Sequence, residues 1–322
     1  MSLLVSALQP HIVRGLYDVR GVADRTLDDL IGSRGAFYPA YDSSTTTWKF
    51  NFISTEIVSA FLAHECARFA CAAFQSYSEI STDIRVADRV PWAIVRAYYA
   101  AFYAGHSLLR ALGSTCTWFD GNRVATLRKL LALYGISQPF DSGLYETEVD
   151  PMGASILVRK IGSSVGGSHE QFWLLFKSRL IRLEAEILAG TLPQRDAQQV
   201  WALLGQLRDV ITRGASNDSW LSLIRNNVQY KQDLKIWFPN QAPSRDRQTL
   251  SNIASGWSGD PLAIHLSSSI CGDLGSFLAA TTFLVASCRV VLTRIAELGK
   301  RGRSLSFAYH GPLRYVAMQQ RT

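Results

Sequence analysis

Apolar positions recur at helical spacing over most of this chain. The stretch the rest is organised around is Pro91 to Gly113, Pro-Trp-Ala-Ile-Val-Arg-Ala-Tyr-Tyr-Ala-Ala-Phe-Tyr-Ala-Gly-His-Ser-Leu-Leu-Arg-Ala-Leu-Gly, where only Gly105 disfavours a helix. A proline suits the first turn of a helix, where its missing N–H had no partner, and Gly113 suits a left-handed C-cap. At about 100° per residue, Arg96, Tyr103, Ser107 and Arg110 share one narrow polar sector, bordered by Tyr99 and His106. Most of the remaining circumference is Ile, Val, Leu, Phe and Ala. The spacing predicts a central helix with a slim polar seam. Ala97, Ala100, Ala101, Ala104 and Gly105 predict close approach by its neighbours.

Weaker helical periods surround it. A helix from an N-cap at Thr55 to about Tyr77 is expected, with others from His169 to about Leu188 and from Pro193 to Arg213. One more starts behind Asn217-Asp218-Ser219, and a last long one runs from about Asp273 to Leu298. Strict alternation occurs in Trp48-Lys-Phe-Asn-Phe52, which reads as a short strand or a loop packing its aromatics. Residues 114–168 are irregular, with a short helix over Thr126 to Tyr134 and an acidic, turn-rich stretch from Pro139 to Pro151. The expected fold is therefore mainly α: a helical bundle with a short β-strand or hairpin near residues 46–54 and an irregular insertion at 114–168. Three parts follow: a lead-in at 1–54, the bundle at 55–298 and a basic tail at 299–322.

Composition adds little to fold but something to partners. The 322 residues are 48% hydrophobic and 18% charged, enough apolar matter for a sizeable core. The net charge is +7, and from Arg289 onward seven Lys or Arg face one acid, Glu297. That tail suits a polyanion or plain solvation. Five cysteines, an odd number, argue against a disulfide framework, and no signal-peptide pattern opens the chain, so a cytoplasmic protein is expected. Phe277 to Cys288 is apolar yet shorter than a membrane span, which predicts a buried helix and no membrane partner. His64, Cys66 and Cys71 match no zinc spacing. The glycine-rich run Gly162-Ser-Ser-Val-Gly-Gly-Ser lacks the Lys-Ser/Thr of a phosphate loop, so neither a metal nor a cofactor is expected.

The chemistry concentrates between Trp220 and Pro239. Leu221, Ile224 and Val228 make an apolar stripe; Asn226 and Tyr230 stand one turn apart on a neighbouring face beside Arg225. A guanidinium, an amide and a phenol together suit a phosphodiester. The same residues equally suit tying this helix to the seam formed by Arg96 and Tyr103.

A Tyr-Tyr-Ala-Ala-Phe helix ending in Leu-Leu-Arg-Ala-Leu-Gly, then a later helix carrying Arg225-Asn226, resembles the HEPN superfamily. The resemblance covers about Thr55 to Leu112 and Trp220 to Trp237. It implies a compact helical bundle, often dimeric, from prokaryotic toxin–antitoxin or antiviral defence systems, many of whose members are metal-independent RNases. It also implies RNA or another nucleic acid as ligand, with a protein partner or antitoxin and a possible homodimer. In that family an Arg is followed by a polar residue and, four to six residues on, a His. Arg225 and Asn226 match; Tyr230, Lys231 and Gln232 stand where the histidine belongs. Tyrosine is a poor base near neutral pH, so His106 or His310 is the candidate acid–base partner, the latter with Arg303 at matching spacing. The candidates for catalysis are thus Arg225, Asn226, Tyr230 and His106. Those for nucleic-acid binding are Arg96, Arg110, Lys231, Arg301, Arg303 and His310. An inactive module that binds nucleic acid or scaffolds a complex is the alternative.

Overall fold

The computed structural model describes residues 2–19, 26, 30–31, 37–150, 154–161, 167–213, 219–239, 241–267, 270–299 and 307–319. In chain order its helices are α1 (Leu3–Leu8), α2 (Thr55–Tyr77), α3 (Ile80–Arg85), α4 (Val90–Ala111), α5 (Gly121–Leu133) and α6 (Ser168–Leu188). They continue with α7 (Gln194–Thr212), α8 (Trp220–Asn226), α9 (Ser244–Ser255), α10 (Gly272–Leu298), α11 (Phe307–His310) and α12 (Leu313–Gln319). The strands are β1 (Phe37–Asp42), β2 (Thr47–Phe52), β3 (Ser114–Phe119), β4 (Gly143–Val149) and β5 (Ser155–Lys160).

These strands overturn the expectation of a mainly α bundle. They form one five-stranded antiparallel sheet in the order β1-β2-β5-β4-β3, so the fold is mixed α/β. The hairpin near 46–54 exists, but its second strand also pairs antiparallel with β5, joining the lead-in and the insertion in a single sheet. Asp42 closes the hairpin by accepting hydrogen bonds from Ser44 N, Ser44 Oγ and Thr45 Oγ1, an Asx turn that also holds its carboxyl below the usual range.

The reason β3 and β4 evade a hydrophobic pattern is chemical. On the inward face of β4, between Tyr145 and Val149, stands Thr147, whose hydroxyl lies 2.7 Å from that of Thr115 on β3; Thr115 in turn meets Thr117 at 2.8 Å. Hydroxyls paired with one another occupy places that the alternation rule assigns to apolar side chains. On the opposite face, Glu146 and Glu148 receive Arg182 of α6, and Glu148 also receives Arg159 of β5. Charges there are neutralised by a covering helix. The aromatic side of the sheet is filled by Phe37, Phe50, Phe119, Phe140 and Tyr145, the last two stacked at 4.6 Å.

The helical layer is built around α4, as its pattern predicts. Pro91 sits in its first turn, and Gly113 takes φ +77° just past its end. Helices α2 and α10 pack against it, and Gly105 lets Phe172 of α6 approach: a Cβ at that position would meet Phe172 Cζ at 2.9 Å. The N-cap of α2 is Ser54, one residue before the expected Thr55, with its side chain accepting from Glu56 N at 3.1 Å. Two stretches, Thr55–Arg85 and α10, are long and apolar enough to cross a membrane. Both are core helices here; in α10, every residue from Gly275 to Cys288 is buried within the protein.

Candidate active site around Arg225

Helix α8 is short because it has one apolar edge to bury and little else. Leu221, Ile224 and the following Val228 are 0–2% exposed and fix the helix against its neighbours, which include α4. At Asn227 the chain widens into a π turn through Lys231. In an α-helix, residues five apart lie about 140° round the axis. The wider turn carries Tyr230 back over Arg225, into the place residue 229 would otherwise hold. The turn is stabilised where it departs from ordinary helix: Asp233 N donates to Asn227 O at 3.0 Å, and Trp237 Nε1 donates to Val228 O at 2.8 Å. Gln232, Leu234 and Lys235 all take positive φ in the loop beyond, a conformation unusual for non-glycine residues.

Arg225 is 8% exposed, yet among the described residues no carboxylate comes within ion-pair distance of it. Its Nε is buried without a hydrogen-bond partner. Rings surround it instead: its Cζ lies 5.0 Å from the ring centre of Tyr98, 5.7 Å from Tyr99 and 5.9 Å from Tyr230. Cation–π contacts soften the cost of burying a guanidinium, and a hydrogen bond with the Tyr98 hydroxyl engages part of it, but Nε stays without a partner. A buried guanidinium with no described carboxylate and one unused N–H has the chemistry to receive an anion.

The imidazole beside this arginine is His169, in the first turn of α6. Its Nδ1 lies 3.0 Å from the Tyr98 hydroxyl, and its ring packs on Phe102 at 4.3 Å and on Tyr99 at 6.0 Å. The Tyr98 hydroxyl also meets Ser222 Oγ of α8 at 2.7 Å and accepts from Trp173 Nε1 at 3.3 Å. Two proton arrangements satisfy this network. In one, Ser222 donates to Tyr98, which donates to His169 Nδ1. In the other, His169 Nδ1–H donates to Tyr98, which donates to Ser222, and Nε2 is left as a free base. Burial, and then the charge of Arg225, lower the His169 pKa, so the imidazole is neutral near pH 7. Burial pushes the Tyr98 phenol up, keeping it protonated.

The residues singled out in the sequence are distributed as follows. Arg225 and Tyr230 meet, the latter 68% exposed; Asn226 adjoins them, half-buried, and among the described residues no hydrogen bond engages its amide. Lys231 is exposed at the end of the π turn. His106, expected as the acid–base partner, is instead a core residue. It is stacked between Phe69 and Phe172, and its Nδ1 accepts from Arg110 Nη1 at 3.1 Å. Burial first, then Arg110, His169 and Arg68, hold its pKa well below the usual imidazole value. Arg110, expected at a nucleic-acid surface, is 2% exposed and donates from Nε to Glu65 at 2.6 Å. Arg96 pairs with Asp83 at 3.0 Å. His310 is exposed on α11, which packs against α2 and α10; Arg301 and Arg303 lie outside the described residues, as do residues 162–166 of the glycine-rich run, whose Gly167 and Ser168 open α6.

Tyr98, His169 and Ser222 did not stand out in the sequence. Tyr98 reads as one more apolar position of α4, and His169 gains meaning only when the fold sets the first turn of α6 beside α8. Among the described residues no group of three His, Cys, Asp or Glu side chains is disposed to hold a metal ion. No family model, curated protein or solved structure matches the chain.

Proposed function

We propose that this protein is a metal-independent endoribonuclease of the HEPN type, acting in the cytoplasm of a prokaryote as part of a defence or toxin–antitoxin system. The observation that carries the reading is the buried Arg225, free of any described carboxylate and sharing its tyrosine surround with a neutral histidine. Arg225 binds the non-bridging oxygens of a phosphodiester and stabilises the charge that grows on them as phosphorus becomes five-coordinate. His169 Nε2 takes the proton of the ribose 2′-hydroxyl; Nδ1–H then donates to Tyr98, which passes its own hydrogen bond to Ser222. The 2′-oxygen forms the new bond to phosphorus, the bond to the 5′-oxygen breaks, and that oxygen takes a proton from the Tyr230 hydroxyl or from solvent. The products are a 2′,3′-cyclic phosphate and a 5′-hydroxyl. Tyr230, 68% exposed beside the arginine, is open to a large substrate. A protein antitoxin or a second copy of the chain would regulate access.

The test is cleavage of end-labelled RNA in EDTA. Wild type should cut, and Arg225→Ala and His169→Ala should each lower the rate by about 10²–10⁴-fold, the range for losing one positioned acid–base or charge-stabilising group. RNA left intact by the wild-type protein while still bound would convert the reading to an inactive binding module. Cutting by Arg225→Ala at the wild-type rate would remove the site altogether.

A further inference from the structure

The outward stripe of α4 continues the Arg225 surround as a ladder of rings with a cation at each end. From Arg225 the steps run to Tyr99 at 5.7 Å, from Tyr99 to Tyr103 at 6.3 Å and from Tyr103 to Phe69 of α2 at 6.3 Å. From there the ladder ends on Arg68, 5.0 Å from the Phe69 ring. Tyr230 also borders Arg225, its ring centre 5.9 Å from the guanidinium carbon. The three tyrosines keep part of their surface in solvent, unlike Tyr98 directly behind them. Phe69 is backed by the stacked His106 and by the Arg110 guanidinium, so it supports the ladder from below.

Charge points the same way at both ends. Arg225 has no described carboxylate. The acid nearest Arg68, Glu65, is 3.8 Å away and already bonded to Arg110 at 2.6 Å, which leaves one positive charge in excess in that trio. Rings in sequence between two under-neutralised cations match the two faces of a single-stranded polynucleotide: flat bases and an anionic backbone. A duplex presents only the backbone, since its base faces are already stacked.

We propose that a single strand of RNA lies along this stripe, with bases stacked on Tyr230, Tyr99 and Tyr103 and phosphates held towards Arg225 and Arg68. This assignment rests on the ribonuclease reading for the kind of nucleic acid, and extends it by a binding track beyond the scissile phosphate.

The experiment uses the full chain and fluorescein-labelled oligonucleotides of about 12 nucleotides, 2′-O-methylated so that none can be cut. They are a mixed-sequence single strand, the same strand in a duplex, and an abasic strand with every sugar and phosphate but no base. Anisotropy titrations should show the base-bearing single strand binding about tenfold or more tighter than the other two. Tyr103→Leu and Tyr230→Leu should each remove most of that preference, and Tyr103→Phe, which keeps the ring, should retain it. Equal affinity for base-bearing and abasic strands, an unchanged preference in both leucine variants, or no binding to any of the three overturns the track. A ribodinucleotide cleavage assay separates the two ideas. Cutting that requires Arg225 but comes without base-dependent binding removes the track and leaves the nuclease. Base-dependent binding without any cutting keeps the track and removes the nuclease.

Discussion

At the scale of single residues the site turns on what Arg225 does to His169. A base must be unprotonated to act, and both burial and the neighbouring guanidinium favour the unprotonated imidazole. The rising limb of kcat/KM against pH should therefore have its midpoint below 6.5, with a plateau through neutrality. Replacing the charge while keeping polarity, as in Arg225→Gln, removes the smaller of the two causes. The His169 titration followed by NMR should move upward but stay short of the unperturbed value. A limb at or above 6.5 in the wild type, or a titration that ignores the substitution, would mean that the two side chains do not feel one another. The sign for stability follows from the same lowering. The unfolded chain protonates first, so the contribution of neutral His169 is complete above about 6.5 and is lost as the pH falls through the folded-state value.

At the scale of elements the important contact is between α4 and α6, because it sets His169 against Tyr98. Gly105 permits it: Phe172 lies against that glycine, packs edge-on against Phe102 at 4.7 Å and stacks on His106 at 4.1 Å. His169 and Phe172 are three residues apart and share a face of α6. Gly105→Ala gains helix propensity but forces a methyl to within 2.9 Å of the Phe172 ring. Overpacking of this kind costs about 1–3 kcal/mol. Urea denaturation should show that loss together with slower RNA cleavage, since α6 must move outward and take its histidine along. Full stability with full activity would mean that the helix spacing is slack. This contact also marks how far the sequence could be read. The alanine-studded face, Gly105 and the polar seam of α4 were legible because helical period and burial agree over that stretch. The sheet was not, because threonine hydroxyls satisfy one another where apolar residues were sought and because Glu146 and Glu148 look like solvent-facing charges. The site was half legible. Arg225 and Tyr230 lie on one segment, though only a π turn, invisible in spacing, makes them neighbours. His169 comes from a helix some fifty residues earlier, and nothing local ties it to Arg225.

At the scale of the whole molecule, sheet and site are linked through the same helix. Arg182, on α6, donates to Glu146 at 3.1 Å and to Glu148, and so clamps the helix that carries His169 in its first turn onto the outer face of β4. Glu146 is mostly buried, and burial with the nearby Glu148 raises its pKa against the pull of Arg159 and Arg182. Arg182→Met keeps most of the side-chain bulk and removes the charge. At pH 7 it leaves two adjacent carboxylates with only Arg159 to compensate them, a loss of about 1–2 kcal/mol for charge-assisted bonds that are partly open to solvent. Loss of the guanidinium raises the folded-state pKa of Glu146 further. A carboxyl whose folded pKa exceeds its unfolded one stabilises the native state more as the pH falls, because the folded form then binds the extra proton. The stability gap between wild type and Arg182→Met should therefore be widest at neutral pH and shrink towards pH 5 in parallel urea titrations. A gap that is constant across that range would show that the clamp acts through packing alone. A gap that widens on acidification would place the dominant charge elsewhere in the network, on Glu186 and the His11 it meets at 3.2 Å.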